Sequence, residues 1–160
     1  MNRRDSKARG ADALRAVDEL NAMLGLLRGT LAPSWEDWLI AVQHQLFAVG
    51  ANLARYARAA GTEGELPLLP ALPSDGADSA TDDSPAGVLM NWARSVAWRT
   101  WRRVAALETA EAPAQYLQCL VSSLAAAEAS LKTGTVQIGP ERGGTGFDSE
   151  RKPEKGSSES

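Results

Sequence analysis

The sequence predicts an all-α protein, a four-helix bundle with one long connection between its second and third helices. Three observations lead there. Four segments carry apolar residues at spacings of three and four, the period of one helix face. Gly and Pro fall between those segments and mark their ends. No segment shows the alternation of a half-buried strand, and no internal repeat is visible.

The first helix is expected from about Ala11 to Arg28, with Leu14, Val17, Leu20, Leu24 and Leu27 as its stripe and Gly29 as its stop. Residues 1–10 read as a flexible basic arm. Pro33 and Ser34 open the second helix, expected from Trp35 to about Ala60, with Leu39, Val42, Leu46, Val49 and Leu53 on one face. Residues 61–83 form a long loop. Its first half holds Pro67, Pro70 and Pro73 with Leu66, Leu68, Leu69 and Leu72, and is expected to lie on the bundle. Its second half is acidic and Ser-rich. Ser84 then caps a third helix, with Pro85 at its first position, running to about Glu108. Pro113 opens the fourth, whose inner side carries Tyr116, Leu117, Leu120, Val121, Leu124, Ala127 and Leu131. The bundle domain thus spans 11–132. Residues 133–160 are rich in Gly, Ser and charge and are expected to be a disordered tail.

With 160 residues the chain is long enough for one domain with its own core. Its 44% hydrophobic and 23% charged residues are ordinary for a globular protein. A net charge of −3 gives no electrostatic demand for nucleic acid. The single cysteine, Cys119, excludes an intrachain disulfide and, falling in a helical pattern, reads as a small buried apolar residue. No apolar run approaches the ~20 residues of a membrane span, and no apolar segment follows the basic N-terminus. A cytoplasmic protein is the expectation.

Few residues form a chemical constellation. The one histidine, His44, has no Asp or Glu three residues before it, so the Glu-x-x-His pattern of di-iron bundles is absent and no metal site is assigned. The Gly-Gly-Thr-Gly run at 143–146 lacks the Lys-Ser/Thr and the following helix of a phosphate loop. More informative is Asn91 to Leu107, which holds three of the five tryptophans, Trp92, Trp98 and Trp101, and four arginines, Arg94, Arg99, Arg102 and Arg103. Leu89, Ala93, Val96, Thr100, Val104 and Leu107 form its apolar face. The indoles and guanidiniums can be a packed rim, the wall of an anion or cofactor site, or a single-strand platform. The acidic loop and net charge argue against nucleic acid. Asp18 and Arg94 both sit at the edges of apolar stripes. They are either an ion pair between the first and third helices or two solvated flank residues.

Three segments resemble the PduO-type ATP:cob(I)alamin adenosyltransferases, in the right order. Val17-Asp18-Glu19-Leu20-Asn21, followed by Leu24-Gly25, is similar to the family's V-D-E-L-N…G. Val42-Gln43, Leu46-Phe47, Gly50 and Leu53-Ala54 resemble I-Q…L-F…G…L-A. Ala93-Arg94-Ser95-Val96, continuing to Arg99 and Arg102, resembles A-R-T-[VI]-x-R-R-A-E-R. The resemblance covers roughly residues 13–60 and 88–131. It implies a bundle of the cobalamin adenosyltransferase-like type and a homotrimer, with ATP and the corrinoid between subunits and transfer of the adenosyl group of ATP to reduced cobalt. It also implies a pair between Asp18 and Arg94, with Asn21 and Arg102 at family positions and Gly25 and Gly50 where helices approach closely.

The departures are specific. The family's T-R-T-G-D-x-G-x-T triphosphate loop has no counterpart in the sixteen residues before Val17. The Gly-Gly-Thr before the third helix is replaced by the acidic loop. Trp98 and Trp101 stand where R-R-A-E-R has its first Arg and its Glu, and N-R-L-S-D becomes Gln118-Cys119-Leu120-Val121-Ser122. A triphosphate site is positioned charge and backbone donors, so these changes argue against ATP and its magnesium. The expectation is a degenerate family member that has impaired or lost adenosyl transfer. It would act as a corrinoid-binding or assembly protein, as a homotrimer or with an active paralogue, with Asn21, Arg102, Trp98 and Trp101 as candidate cofactor-binding residues. The competing expectation is an active adenosyltransferase with a rearranged ATP site.

Overall fold

The computed structural model describes residues 3–57, 66–73, 84–108 and 110–133. Four helices lie among the described residues: α1 (Arg3–Arg28), α2 (Pro33–Ala57), α3 (Pro85–Ala105) and α4 (Glu111–Thr133). No strand occurs among the described residues. The all-α bundle expected from the periodicity is the fold observed.

Several boundaries move. Residues 3–10, expected to be an arm, are the first turns of α1. Asp5 sits in the first turn, where a carboxylate meets the helix dipole favourably. α2 starts at Pro33, two residues earlier than expected, because proline's missing N–H is harmless in a first turn. The Trp35 and Glu36 amides close that turn onto the Ala32 carbonyl, both at 3.0 Å. α3 keeps its expected start, with Ser84 extended at the cap and its Oγ accepting from the Gly87 amide at 3.1 Å. It ends at Ala105, and Pro113 falls within the first turn of α4 rather than at its start. The expected end of α2 at Ala60, the acidic run 74–83 and the tail lie outside the described residues.

The helix directions follow from cross-helix partners. The short turn from Arg28 to Pro33 makes α1 and α2 antiparallel, with Arg28 on Glu36 at 3.3 Å and Gln43 on the Asn21 carbonyl at 3.0 Å. Between α1 and α3, Arg103 meets Asp12, Thr100 meets Ala16 and Arg99 meets Glu19, so numbering falls on one helix as it rises on the other. α2 and α3 are therefore parallel and diagonal, both flanking α1, while α4 packs against α3 and more thinly against α2. A parallel pair cannot be joined by a tight turn. The chain must travel back along the roughly 37 Å of α2, at about 1.5 Å per residue, before α3 can begin.

Residues 66–73 make part of that return. The Gln45 amide donates to the Leu68 carbonyl at 2.9 Å and the Trp38 indole N–H to the Pro70 carbonyl at 3.0 Å. The strap thus climbs toward the N-terminal end of α2. Leu66, Leu69 and Leu72 pack on the core as expected for this half of the loop, while Leu68 is 92% exposed. The Tyr116 hydroxyl donates to Gln45 Oε1 at 2.7 Å, so one glutamine joins α2, α4 and the strap where α2 and α4 pack thinly. Burial raises the Tyr116 pKa well above the ordinary phenol value.

The core takes the predicted stripes. Leu20, Leu24, Leu27, Leu39, Val42, Leu46, Val49, Leu53, Ala93, Val96, Val104, Leu117, Leu120, Leu124 and Leu131 are all buried. The sequence reading missed Trp35 and Trp38, which are buried edge to face with ring centroids 6.2 Å apart. Inside α3, the buried Thr100 hydroxyl lies 3.1 Å from the Ala16 carbonyl and 2.9 Å from that of Val96. Cys119, expected inside, is exposed. The inward stripe of α4 passes through Leu117 and Leu120 and turns position 119 to the outside.

Candidate functional site

The residues singled out in the sequence fall on two different sides of the bundle. The α2-facing side of α1 is fixed by Leu14, Asn21, Gly25 and Arg28. A Cβ added to Gly50 would lie 3.4 Å from Leu14 Cδ1, and one added to Gly25 would lie 3.3 Å from Gln43 Nε2. The two glycines thus face the partner helix, each beside one of its side chains. Asp18, four residues after Leu14 and three before Asn21, shares that side and is exposed. Asn21 is half-buried, and its carbonyl accepts from Gln43. Its side-chain Oδ1 is buried and accepts no hydrogen bond, an acceptor without a donor on this face. Phe47, 66% exposed, lies on the adjoining helix.

Arg94 belongs to the opposite side. The α1-facing residues of α3 are Arg99, Thr100 and Arg103, whereas Arg94 faces α4. Its Nε donates to Glu128 Oε2 at 2.6 Å, and the Asn91 amide donates to Glu128 Oε1 at 3.1 Å. Both oxygens of this nearly buried carboxylate are engaged. Such a pair needs close geometry, because desolvating a carboxylate costs several kcal/mol unless it is compensated. The Asp18–Arg94 pair within one chain is therefore replaced by Arg94–Glu128, for a topological reason. Asp18 looks toward α2 and Arg94 toward α4.

Arg94, Ser95, Trp98 and Arg99 line an open cleft of about 310 Å³ on the outer face of α3. Trp98 is 44% exposed, and the Arg102 guanidinium carbon sits 4.9 Å from its ring centroid. A guanidinium over an indole is a favourable contact that also presents a flat, positively charged wall. Arg99 is loosely paired with Glu19 at 3.8 Å, both well exposed. Trp101 does not share this cleft. It packs against the core and lines a separate recess at the turn between α3 and α4, with Glu108, Glu111, Gln115 and Gln118. Trp98 and Trp101 therefore line different recesses, Trp98 the outer cleft and Trp101 the one at the α3–α4 turn.

Glu128 is the site residue the sequence reading missed. It stands in an Ala-rich stretch where a charge reads as solvated. Its spacing of four from Leu124 and three from Leu131 nonetheless puts it on the buried stripe. His44 is exposed, and no group of three His, Cys, Asp or Glu side chains that could hold a metal occurs among the described residues. No described helix is long and apolar enough to cross a membrane.

Fold and faces together define a helical-bundle protein with a crossover connection, a class that builds its ligand sites from side chains projecting off the helices. Residues 2–71 match the family model described as cobalamin adenosyltransferase, so this part of the chain is similar to that family. The match includes Asp18, Asn21, Gly25, Gly50 and the strap up to residue 71, and stops before α3. No curated protein matches the chain, and no solved structure does.

Proposed function

We propose that this adenosyltransferase-like chain binds a corrinoid between copies of itself, in a head-to-tail ring, with adenosyl transfer from ATP impaired or lost. The single observation that carries the reading is the placement of the two half-sites. Asp18, Asn21 with its unpartnered Oδ1, and Phe47 lie on the α1–α2 side, while Arg94, Trp98 and Arg102 lie on the α3 side. Residues on opposite sides of one subunit meet only between subunits, and a heterologous contact that closes gives a ring. The trimer implied by the family resemblance, or a mixed ring with an active paralogue, fits this arrangement. The exposed indole and guanidinium of α3 would form one wall for a large flat ligand.

Loss of ATP chemistry is favoured by Glu128, which already neutralises the arginine at the family's A-R-T position. The alternative, an active ATP:cob(I)alamin adenosyltransferase with a rearranged ATP site, keeps the same assembly.

The test combines sedimentation with cobalamin difference spectroscopy and an adenosylation assay using reduced corrinoid and MgATP. The expected result is an oligomer that binds hydroxocobalamin and forms little or no adenosylcobalamin. Asp18→Asn should weaken assembly and leave the unfolding of the separated subunit unchanged, since Asp18 is exposed and makes no contact that this bundle needs. Efficient, saturable adenosylcobalamin formation would select the alternative. A monomer that binds no corrinoid would sink both readings.

A further inference from the structure

The Arg94–Glu128 pair bears on which ligands the α3 cleft accepts, an inference that rests on the reading of this cleft as a ligand wall. Arg94, Arg99 and Arg102 at first sight make a strongly cationic surface suited to a polyphosphate. The contacts describe something weaker. Glu128 takes the Nε edge of Arg94 at 2.6 Å and is held there by Asn91. Arg99 has Glu19 at 3.8 Å, and Arg102 is stacked on Trp98. The buried carboxylate is the firmest of these partners. It is a fixed countercharge behind the cleft, screened from solvent, and not a rim charge that salt or a rotamer change can remove.

We propose that Glu128 is a specificity-determining residue: by neutralising Arg94 from behind, it makes the Arg94–Trp98 cleft a site for a neutral or singly charged flat ligand and selects against polyphosphates. The carboxylate acts through Arg94 and touches no ligand itself. The arrangement leaves the indole face and the stacked Arg102 available for a ring system with amide or single phosphodiester substituents. It withholds the surplus positive charge that a triphosphate requires.

The experiment uses the whole chain and inorganic tripolyphosphate as the probe, followed by isothermal titration and by tryptophan fluorescence at low ionic strength. Glu128→Gln keeps the shape and one acceptor oxygen and removes the charge. The lost charge would lie roughly 8 Å from a phosphate seated on Arg94. Against a ligand of charge about −3 in water-like surroundings, that translates to roughly a tenfold gain in affinity, shrinking as salt is added. The proposal expects weak tripolyphosphate binding to the natural chain, that gain in Glu128→Gln, and its disappearance in the Arg94→Gln/Glu128→Gln double variant. Should the glutamine variant unfold, Glu128→Met fills the same space without charge and carries the same comparison. An unchanged or weaker affinity in the uncharged variant overturns the proposal, because Glu128 would then be holding Arg94 in place and not discharging it. A gain that persists without Arg94 overturns it as well. Hydroxocobalamin titrated into the same natural chain reads the parent hypothesis separately: its failure to bind would remove the corrinoid reading and leave the polyphosphate comparison to decide this one.

Discussion

Replacing each of the two interface glycines by alanine should give different outcomes in otherwise similar positions. Glycine within a helix costs about 1 kcal/mol relative to alanine. At Gly50, the added Cβ would stand 3.4 Å from Leu14 Cδ1, an ordinary contact with the end of a flexible side chain. Gly50→Ala therefore keeps most of the propensity gain and buries a methyl group against Leu14. It should stabilise by about 0.5–1 kcal/mol, raising Tm by about 2–3 °C in a chain of this size. At Gly25, the added Cβ meets Gln43 Nε2 at 3.3 Å, and that amide is the donor to the Asn21 carbonyl at 3.0 Å. The glutamine must give way, and a hydrogen bond worth about 0.5–1.5 kcal/mol weakens. Gly25→Ala should therefore fall within about 0.5 kcal/mol of the natural chain. Urea and thermal unfolding followed by circular dichroism measure both. If Gly50→Ala lowers Tm, α1 and α2 pack more tightly than described. If Gly25→Ala gains as much as Gly50→Ala, Gln43 is not tied to Asn21 as the structure shows.

Two further outcomes follow from single side chains. Tyr116→Phe removes the bond to Gln45 and should cost about 1 kcal/mol near neutral pH. The raised pKa of Tyr116 makes its contribution fully present below the unfolded phenol value of about 10 and lost as pH rises above it, so the gap between natural chain and variant should close in alkaline solution. Ser84→Ala removes the N-cap of α3 and should cost about 1 kcal/mol, with hydrogen exchange quickening first at the Gly87 and Val88 amides.

How much of this was legible in the chain can be judged residue by residue. The stripes of Leu39 to Leu53 and Leu117 to Leu131 determined two helices and their inner faces, because helical periodicity is written in consecutive residues. Ser84-Pro85 determined the start of α3, since a cap is a local hydrogen bond. The first turns of α1 were misread as an arm because polarity alone does not prevent a helix from extending. Asp18 and Asn21 were found through a motif. Glu128 was not found, because a glutamate among alanines carries no local sign of the arginine that will neutralise it.

The sequence by itself determined the helix count and the stripes, and it singled out two sets of candidate residues. It could not determine which of those residues share a side. That depends on the directions in which four helices run, and those directions are set by a crossover whose strap is held by Trp38 and Gln45. The strap returns the chain along α2, so α3 runs parallel to α2 and turns Arg94 toward α4. Pairing between distant segments is a property of packing, and only the tertiary structure could give Arg94 to Glu128 and leave Asp18 facing outward.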